Sequence, residues 1–228
     1  MSIVLATSVV LAGDPFDGTL DGWMAADGRA GTAGWEVVDD AVHLKAAAVQ
    51  KDDGERAGNL LTAEPVGDFR LDFEWKIAPG GNSGIKYLVS RHQGRWLGCE
   101  YQIQDDTRRT SRPRNGCCAL YDLYEPAVGL RLAPPGEWNT GRIVVDRGRI
   151  EHWANGTRVV EARIGDDEWR RRIAASKFAD VEGFAVGPVG RIMLTSHGSE
   201  VWYRHFRFQR LGDPVTASDV DGGGRTSP

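Results

Sequence analysis

The 228-residue chain contains no run of about 20 apolar residues, which excludes a helix that crosses a membrane. It also has little cysteine: only Cys99, Cys117 and Cys118. An odd number at this spacing is no disulfide framework. Cys99 and Cys118 lie in alternating apolar stretches and read as small buried hydrophobes, with a bond from Cys99 to one of the other two as the other option. A zinc site would need further ligands at suitable spacings, and none follows. Neither sign of charge dominates, since the net charge of −4 offers no electrostatic case for nucleic acid. Also missing are the dinucleotide-binding Gly-x-Gly-x-x-Gly, the phosphate-binding Gly-Lys-Ser/Thr, the Gly-x-Ser-x-Gly elbow and His-Glu-x-x-His. Hydride transfer, phosphoryl transfer and serine hydrolysis of the common kinds therefore lose ground.

The basic residues are mostly arginine. One cluster holds Arg108, Arg109, Arg112 and Arg114, and another Arg170, Arg171 and Arg172. They read either as solvated loops or as rims for an anionic or polyhydroxylated ligand. Neither has the interleaved aromatics of a single-strand nucleic-acid platform. The opening MSIVLATSVVLAGD resembles the hydrophobic part of a secretory signal without its positively charged lead. Residues 1–13 are therefore read as a signal remnant or a first strand. A clipped signal would place the protein in the periplasm or outside the cell, and otherwise it would be cytoplasmic.

From Trp35 onward, strand signals dominate. Trp35 to Val38 and Ala41 to Leu44 flank Asp39-Asp40 as a hairpin. Phe69 to Ile77 alternates apolar and polar residues over nine positions, a strand with one dry and one wet face. Further strands are expected at 84–89, 99–105, 141–145, 150–153, 158–164, 190–195 and 201–208. Asp146-Arg147-Gly148-Arg149 and Ala154-Asn155-Gly156-Thr157 carry tight-turn residues between them. Only Trp169 to Ala179 suits a helix of any length. This pattern specifies an all-β fold, a two-sheet antiparallel jelly-roll sandwich, occupying one domain over residues 14–211. Residues 212–228 are Gly-, Asp- and Ser-rich and read as a flexible tail.

Four constellations could carry chemistry. Asn82-Ser83-Gly84 precedes a strand and is either a local turn or the rim of a cleft. Strand alternation prevents Lys86 and Tyr87 from both facing that cleft, and if Lys86 does, Gly84 leaves space beside it. Glu100, Gln102 and Gln104 share one strand face, followed by Asp105. This is either a solvated outer face or a carboxylate flanked by amides, suited to sugar hydroxyls and to acid–base work. His197 stands at a strand end beside Gly198, as a structural histidine or a proton carrier. Eight tryptophans is high for one domain. Trp23, Trp96 and Trp138 lie in or near loops, where an indole could be core or could stack on a sugar ring.

In these segments the chain resembles the 3-keto-disaccharide hydrolase domain family. The matching pieces include FDGTLDGW (16–23), GGNSGIKYLV (80–89), CEYQIQDD (99–106), CCALYDLYEP (117–126), PPGEWNTGRIVV (134–145) and GRIMLTSHGSEVWYRHFRF (190–208). They run in order from about Phe16 to Leu211. The resemblance implies a concanavalin A-like jelly roll acting on a carbohydrate oxidised at C3. It carries over Glu100, Gln102 and Asp105 from Glu-Tyr-Gln-x-x-Asp, Asn82 and Lys86 from Asn-Ser-Gly-Ile-Lys, and His197 from His-Gly. Tyr121 and Arg204 join Asn82, Gln102, Asp105 and Trp138 as expected substrate contacts. The family usually has Gln-Asp before His-Gly and Arg-Asn after the next aromatic, whereas this chain has Thr195-Ser196 and Arg204-His205. These differences bear on substrate placement or on a cation site.

A carbonyl at C3 acidifies the C2 proton, so one base can remove it and expel the C1 substituent, after which water adds to the enone. The expected catalytic set is Glu100 or His197 as the base, the other group or a bound water as the acid, and Lys86 or a divalent cation polarising the C3 oxygen. Ordinary glycoside hydrolysis, with two flanking carboxylates, follows another route. The competing readings are a non-catalytic carbohydrate-binding module, which requires an open platform, and an interaction domain, which requires an exposed apolar patch.

Overall fold

The computed structural model describes residues 15–28, 32, 34–45, 58–107 and 113–212. Residues 1–13, the tail beyond Gly212, and Arg108, Arg109 and Arg112 lie outside the described residues. The strands are β1 (Trp23–Ala25), β2 (Trp35–Val38), β3 (Ala41–Leu44), β4 (Leu60–Thr62), β5 (Phe69–Ile77), β6 (Asn82–His92) and β7 (Arg95–Gln104). They continue as β8 (Asn139–Asp146), β9 (Arg149–Ala154), β10 (Thr157–Arg163), β11 (Arg191–Ser196) and β12 (Val201–Arg210), with helix α1 (Asp167–Ala174) between β10 and β11. Two antiparallel sheets result. One has five strands in the order β1-β4-β11-β6-β7, the other seven in the order β10-β9-β8-β5-β12-β3-β2. This is the all-β sandwich expected from the alternating strands.

The tight turns obey the sequence. Asp39 and Asp40, Arg147 and Gly148, and Asn155 and Gly156 each take positive φ at both central positions. That is the turn whose twist matches a two-residue hairpin. The alternation of β5 is also realised: Phe69, Leu71, Phe73, Trp75 and Ile77 are buried and the residues between them are not. Its dry face meets the five-stranded sheet across the core. There Phe73 packs edge-on against Tyr101 at 5.4 Å, and Phe69 against Tyr87 at 6.2 Å. Burying each such side chain contributes about 1.5–3 kcal/mol.

The core also contains polar pins. Tyr87 Oη lies 2.8 Å from His152 Nε2, and His152 Nδ1 lies 3.1 Å from the Cys118 carbonyl oxygen. With Nδ1 donating to that carbonyl, Nε2 accepts from the tyrosine. Burial lowers the His152 pKa to about 4 and keeps the ring neutral. Ser83 Oγ donates to the Thr195 carbonyl at 2.6 Å and lies 2.9 Å from Tyr203 Oη, tying β6, β11 and β12 together.

All three cysteines are free and buried, so Cys99 makes no disulfide. The helix starts earlier and ends sooner than expected. The Asp166 carboxylate caps it by accepting the Trp169 N–H at 2.7 Å, and Ala175 closes it with backbone bonds to Arg171 and Arg172. Arg170, Arg171 and Arg172 lie on this helix and pair with its own Asp167 and Glu168. Among the described residues, no helix is long and apolar enough to cross a membrane.

Candidate active site

The outer face of the five-stranded sheet carries a polar cleft of about 240 Å³. Its floor follows from strand alternation. Ser83, Ile85 and Tyr87 of β6 turn inward to the core, so Asn82, Gly84 and Lys86 turn outward. The same rule turns Cys99, Tyr101 and Ile103 of β7 inward, and Glu100 and Gln102 outward. The ladder then sets Lys86 opposite Glu100 and Gly84 opposite Gln102. Strand β11 lies on the other side of β6, with Thr195 opposite Gly84, and His197 follows its end.

Glu100, His197 and Lys86 therefore line one cleft, with Asn82, Gln102 and Tyr121. Glu100 is only 6% exposed, although it sits on an outer sheet face. The segment after β7 runs beside it: the Tyr121 backbone N–H donates to the Glu100 backbone carbonyl at 3.0 Å. Gly84 is required beside the carboxylate. A methyl group there would come within 2.6 Å of Glu100 Oε1 and 3.0 Å of the Tyr101 carbonyl oxygen. Thr195 Oγ1 reaches the same Oε1 at 3.4 Å. The Gln102 amide nitrogen donates to Asn82 Oδ1 at 2.7 Å, which orients both amides. Nδ1 of His197 is shielded from solvent and has no hydrogen-bond partner among the described residues.

Three expected substrate contacts lie elsewhere. Asp105 is buried and clamps turns: it accepts the Gly80 N–H at 2.7 Å and the Thr107 N–H at 2.8 Å. It thereby anchors the turn from which β6 and Asn82 start. Arg204 belongs to the seven-stranded sheet and donates to Glu74 at 2.8 Å. Trp138 stacks beneath the Arg204 guanidinium at 4.0 Å and beside Lys76 at 5.0 Å, so its indole face is occupied by cations. Of the other loop tryptophans, Trp23 is buried in the core against Phe16, whereas Trp96 lines the cleft.

The structure adds residues that carried no sequence signal. Asn59, from the segment before β4, lines the cleft and accepts the Ser196 N–H at 2.8 Å. Arg95 and Leu97 of β7 join Trp96 at one end. Lys177 arrives from the segment after α1, with its ammonium 4.1 Å from the Tyr121 ring centre. The Lys177 backbone N–H donates to the Asp122 carboxylate at 2.8 Å. Burial lowers the Lys177 pKa, and Lys86 and Arg95 push it the same way, against the opposing pull of Glu100 and Asp122. Among the described residues, no group of three His, Cys, Asp or Glu side chains converges as a metal site.

A two-sheet sandwich with a buried carboxylate, amides and cations in a cleft on one outer face has the groups to bind a polyhydroxylated ligand and to move a proton. Residues 12–209 match the family of 3-keto-alpha-glucoside-1,2-lyase-like domains, and the chain belongs to that family. It is 28% identical to a 3-keto-disaccharide hydrolase of Bacteroides thetaiotaomicron over 86% of this chain and 77% of that one. In fold it is similar to a Parabacteroides distasonis protein described as a candidate glycosyl hydrolase. That likeness has a TM-score of 0.76 at 24% identity, covering 87% of this chain and 93% of the other. A Bacillus subtilis carbohydrate-binding module of class CBM66 shares the sandwich at a TM-score of 0.51 and 10% identity, covering 82% of this chain and 95% of that one.

Proposed function

We propose that the protein cleaves 3-keto-glycosides by removing the C2 proton, expelling the C1 substituent and hydrating the resulting enone. The observation that carries this reading is the convergence of Glu100, His197 and Lys86 in one cleft. A non-catalytic binding module would need an open platform, and an interaction domain an apolar patch. Neither describes a recess that buries a carboxylate beside a lysine and a histidine.

Glu100 takes the C2 proton. Its carboxylate is held against Gly84, within reach of the Thr195 hydroxyl, so the base has little freedom to reorient. As the C2–H bond breaks, electron density moves toward the C3 oxygen, where the Lys86 ammonium stabilises the developing enolate. The enolate collapses, the C1–O bond breaks, and His197 donates a proton to the departing oxygen. Water then adds at C1 and a proton returns to C2, so the net reaction is hydrolysis. Asn82 and Gln102 bind sugar hydroxyls through the amide valences not used on each other, and Tyr121 closes the side of the cleft.

The described lining of the cleft favours a cationic side chain over a divalent cation at the carbonyl oxygen. Among the described lining residues Glu100 is the one carboxylate, and Lys86, Lys177 and Arg95 bring positive charge to the same cleft. Carbonyl polarisation is accordingly assigned to Lys86.

The test is release of a chromogenic aglycone from a 3-keto-glucoside, beside its unoxidised parent. Release from the keto form alone is expected. Glu100→Gln and His197→Ala should each lower kcat by about 10²–10⁴-fold. Full activity in both variants, or equal cleavage of the parent, would overturn the assignment.

A further inference from the structure

Elimination needs one cation at the C3 oxygen, and the described residues lining the cleft include three. Lys86 stands across the ladder from Glu100 and meets that need. Arg95 and Lys177 remain, and among the described residues neither has an ion-pair partner. The ammonium of Lys177 rests on the Tyr121 ring, and the Arg95 side chain is exposed at the end of β7. Both Lys86 and Arg95 are close enough to Lys177 to disfavour its charge. Cations converging in a recess repel one another, and an anion placed among them removes that cost. This excess of positive charge stands out in a chain whose net charge is −4.

We propose that the cleft selects a keto-glycoside bearing an acidic group, a carboxylate on the sugar or on its aglycone, held between Arg95 and Lys177. The proposal rests on the 3-keto-glycoside reading and narrows it to a substrate class. The guanidinium fork of Arg95 suits a planar carboxylate, and the Lys177 ammonium, which also lines the cleft, supplies a point charge. Trp96 and Leu97 beside Arg95 add apolar surface, which suits the ring or chain that carries the acid.

Three 3-keto substrates separate the possibilities: a neutral nitrophenyl glucoside, the matching glucuronide, and a glucoside of a carboxylated nitrophenol. The wild type should show kcat/KM about tenfold higher for one acidic substrate than for the neutral one. That ratio should fall toward one in Arg95→Gln/Lys177→Gln, and also in about 0.5 M salt, where exposed charges are screened. Whichever acidic substrate is preferred tells whether the anion belongs to the sugar or to the aglycone. A wild-type ratio at or below one for both acids, or a ratio unchanged in the double variant, overturns the proposal while leaving the keto-glycoside reading intact. If no keto substrate is cleaved, that reading fails, and calorimetric titration with glucuronate and glucose decides the anion site separately. Tighter binding of glucuronate that is lost in the double variant supports the site, and equal binding of the two sugars overturns it.

Discussion

His152 lies in the core, away from the cleft, and makes the fold sensitive to mild acid. Its pKa falls from 6.5 to about 4 on folding, because burial disfavours the charged ring. The unfolded chain therefore binds a proton at this position between pH 6.5 and 4 that the folded chain refuses, and stability must fall as pH falls through that window. A gap of about 2.5 pKa units corresponds to about 3 kcal/mol once the pH is below both values. Between pH 7.5 and 5, about 2 kcal/mol of this is already lost. Asp72, held below its ordinary 3.8 between Arg70 and Arg142, loses its contribution below the window, and glutamates such as Glu74 overlap only its acid end. Urea denaturation of the wild type across this range should give a free energy with a slope near one proton. His152→Gln, which retains one donor and one acceptor, should be less stable at neutral pH yet lack that slope. A flat wild-type profile, or the same slope in the variant, would refute the argument that the ring is held neutral between Tyr87 and the Cys118 carbonyl.

Gly84→Ala should displace the Glu100 carboxylate, because the added methyl collides with Oε1 and the Tyr101 carbonyl oxygen. We expect kcat/KM on a keto-glycoside to fall by about 10²-fold while the circular dichroism spectrum stays β-rich. Arg204→Ala removes an ion pair with Glu74 within the seven-stranded sheet, away from the cleft, and should leave KM and kcat within about twofold of wild type. A large rise in KM for Arg204→Ala would mean that the seven-stranded sheet contributes to the substrate site.

Much of the fold was legible because a half-buried strand must alternate. Phe69 to Ile77 shows that alternation without interruption, and its observed bounds match the expected ones. The Asp-Asp, Arg-Gly and Asn-Gly turns were equally legible, since left-handed backbone restricts the residues that can occupy it. Strands β1 and β4 were not seen. Each is three residues long, too short to display a period, and in β4 Leu60, Leu61 and Thr62 are all buried, so no alternation marks it.

For the site, alternation and ladder pairing determine that Asn82, Gly84 and Lys86 share a face and that Glu100 and Gln102 share another. What alternation cannot say is which outer face holds the cleft. Arg204 and Trp138 have suitable chemistry and belong to the wrong sheet, a fact visible only in the strand order. Nor could local pattern place Lys177 or Asn59. Both come from irregular segments without periodicity and reach the cleft through packing: Lys177 through the Asp122 carboxylate and the Tyr121 ring, Asn59 through the Ser196 N–H. The sequence by itself thus determined the two-sheet architecture, the turns and the outward-facing row of polar residues, because these follow from backbone stereochemistry and solvent exposure over a few neighbouring residues. Only the tertiary structure decided which polar residues meet and how many cations surround Glu100, because those depend on segments brought together across the sheet by the burial of a common core.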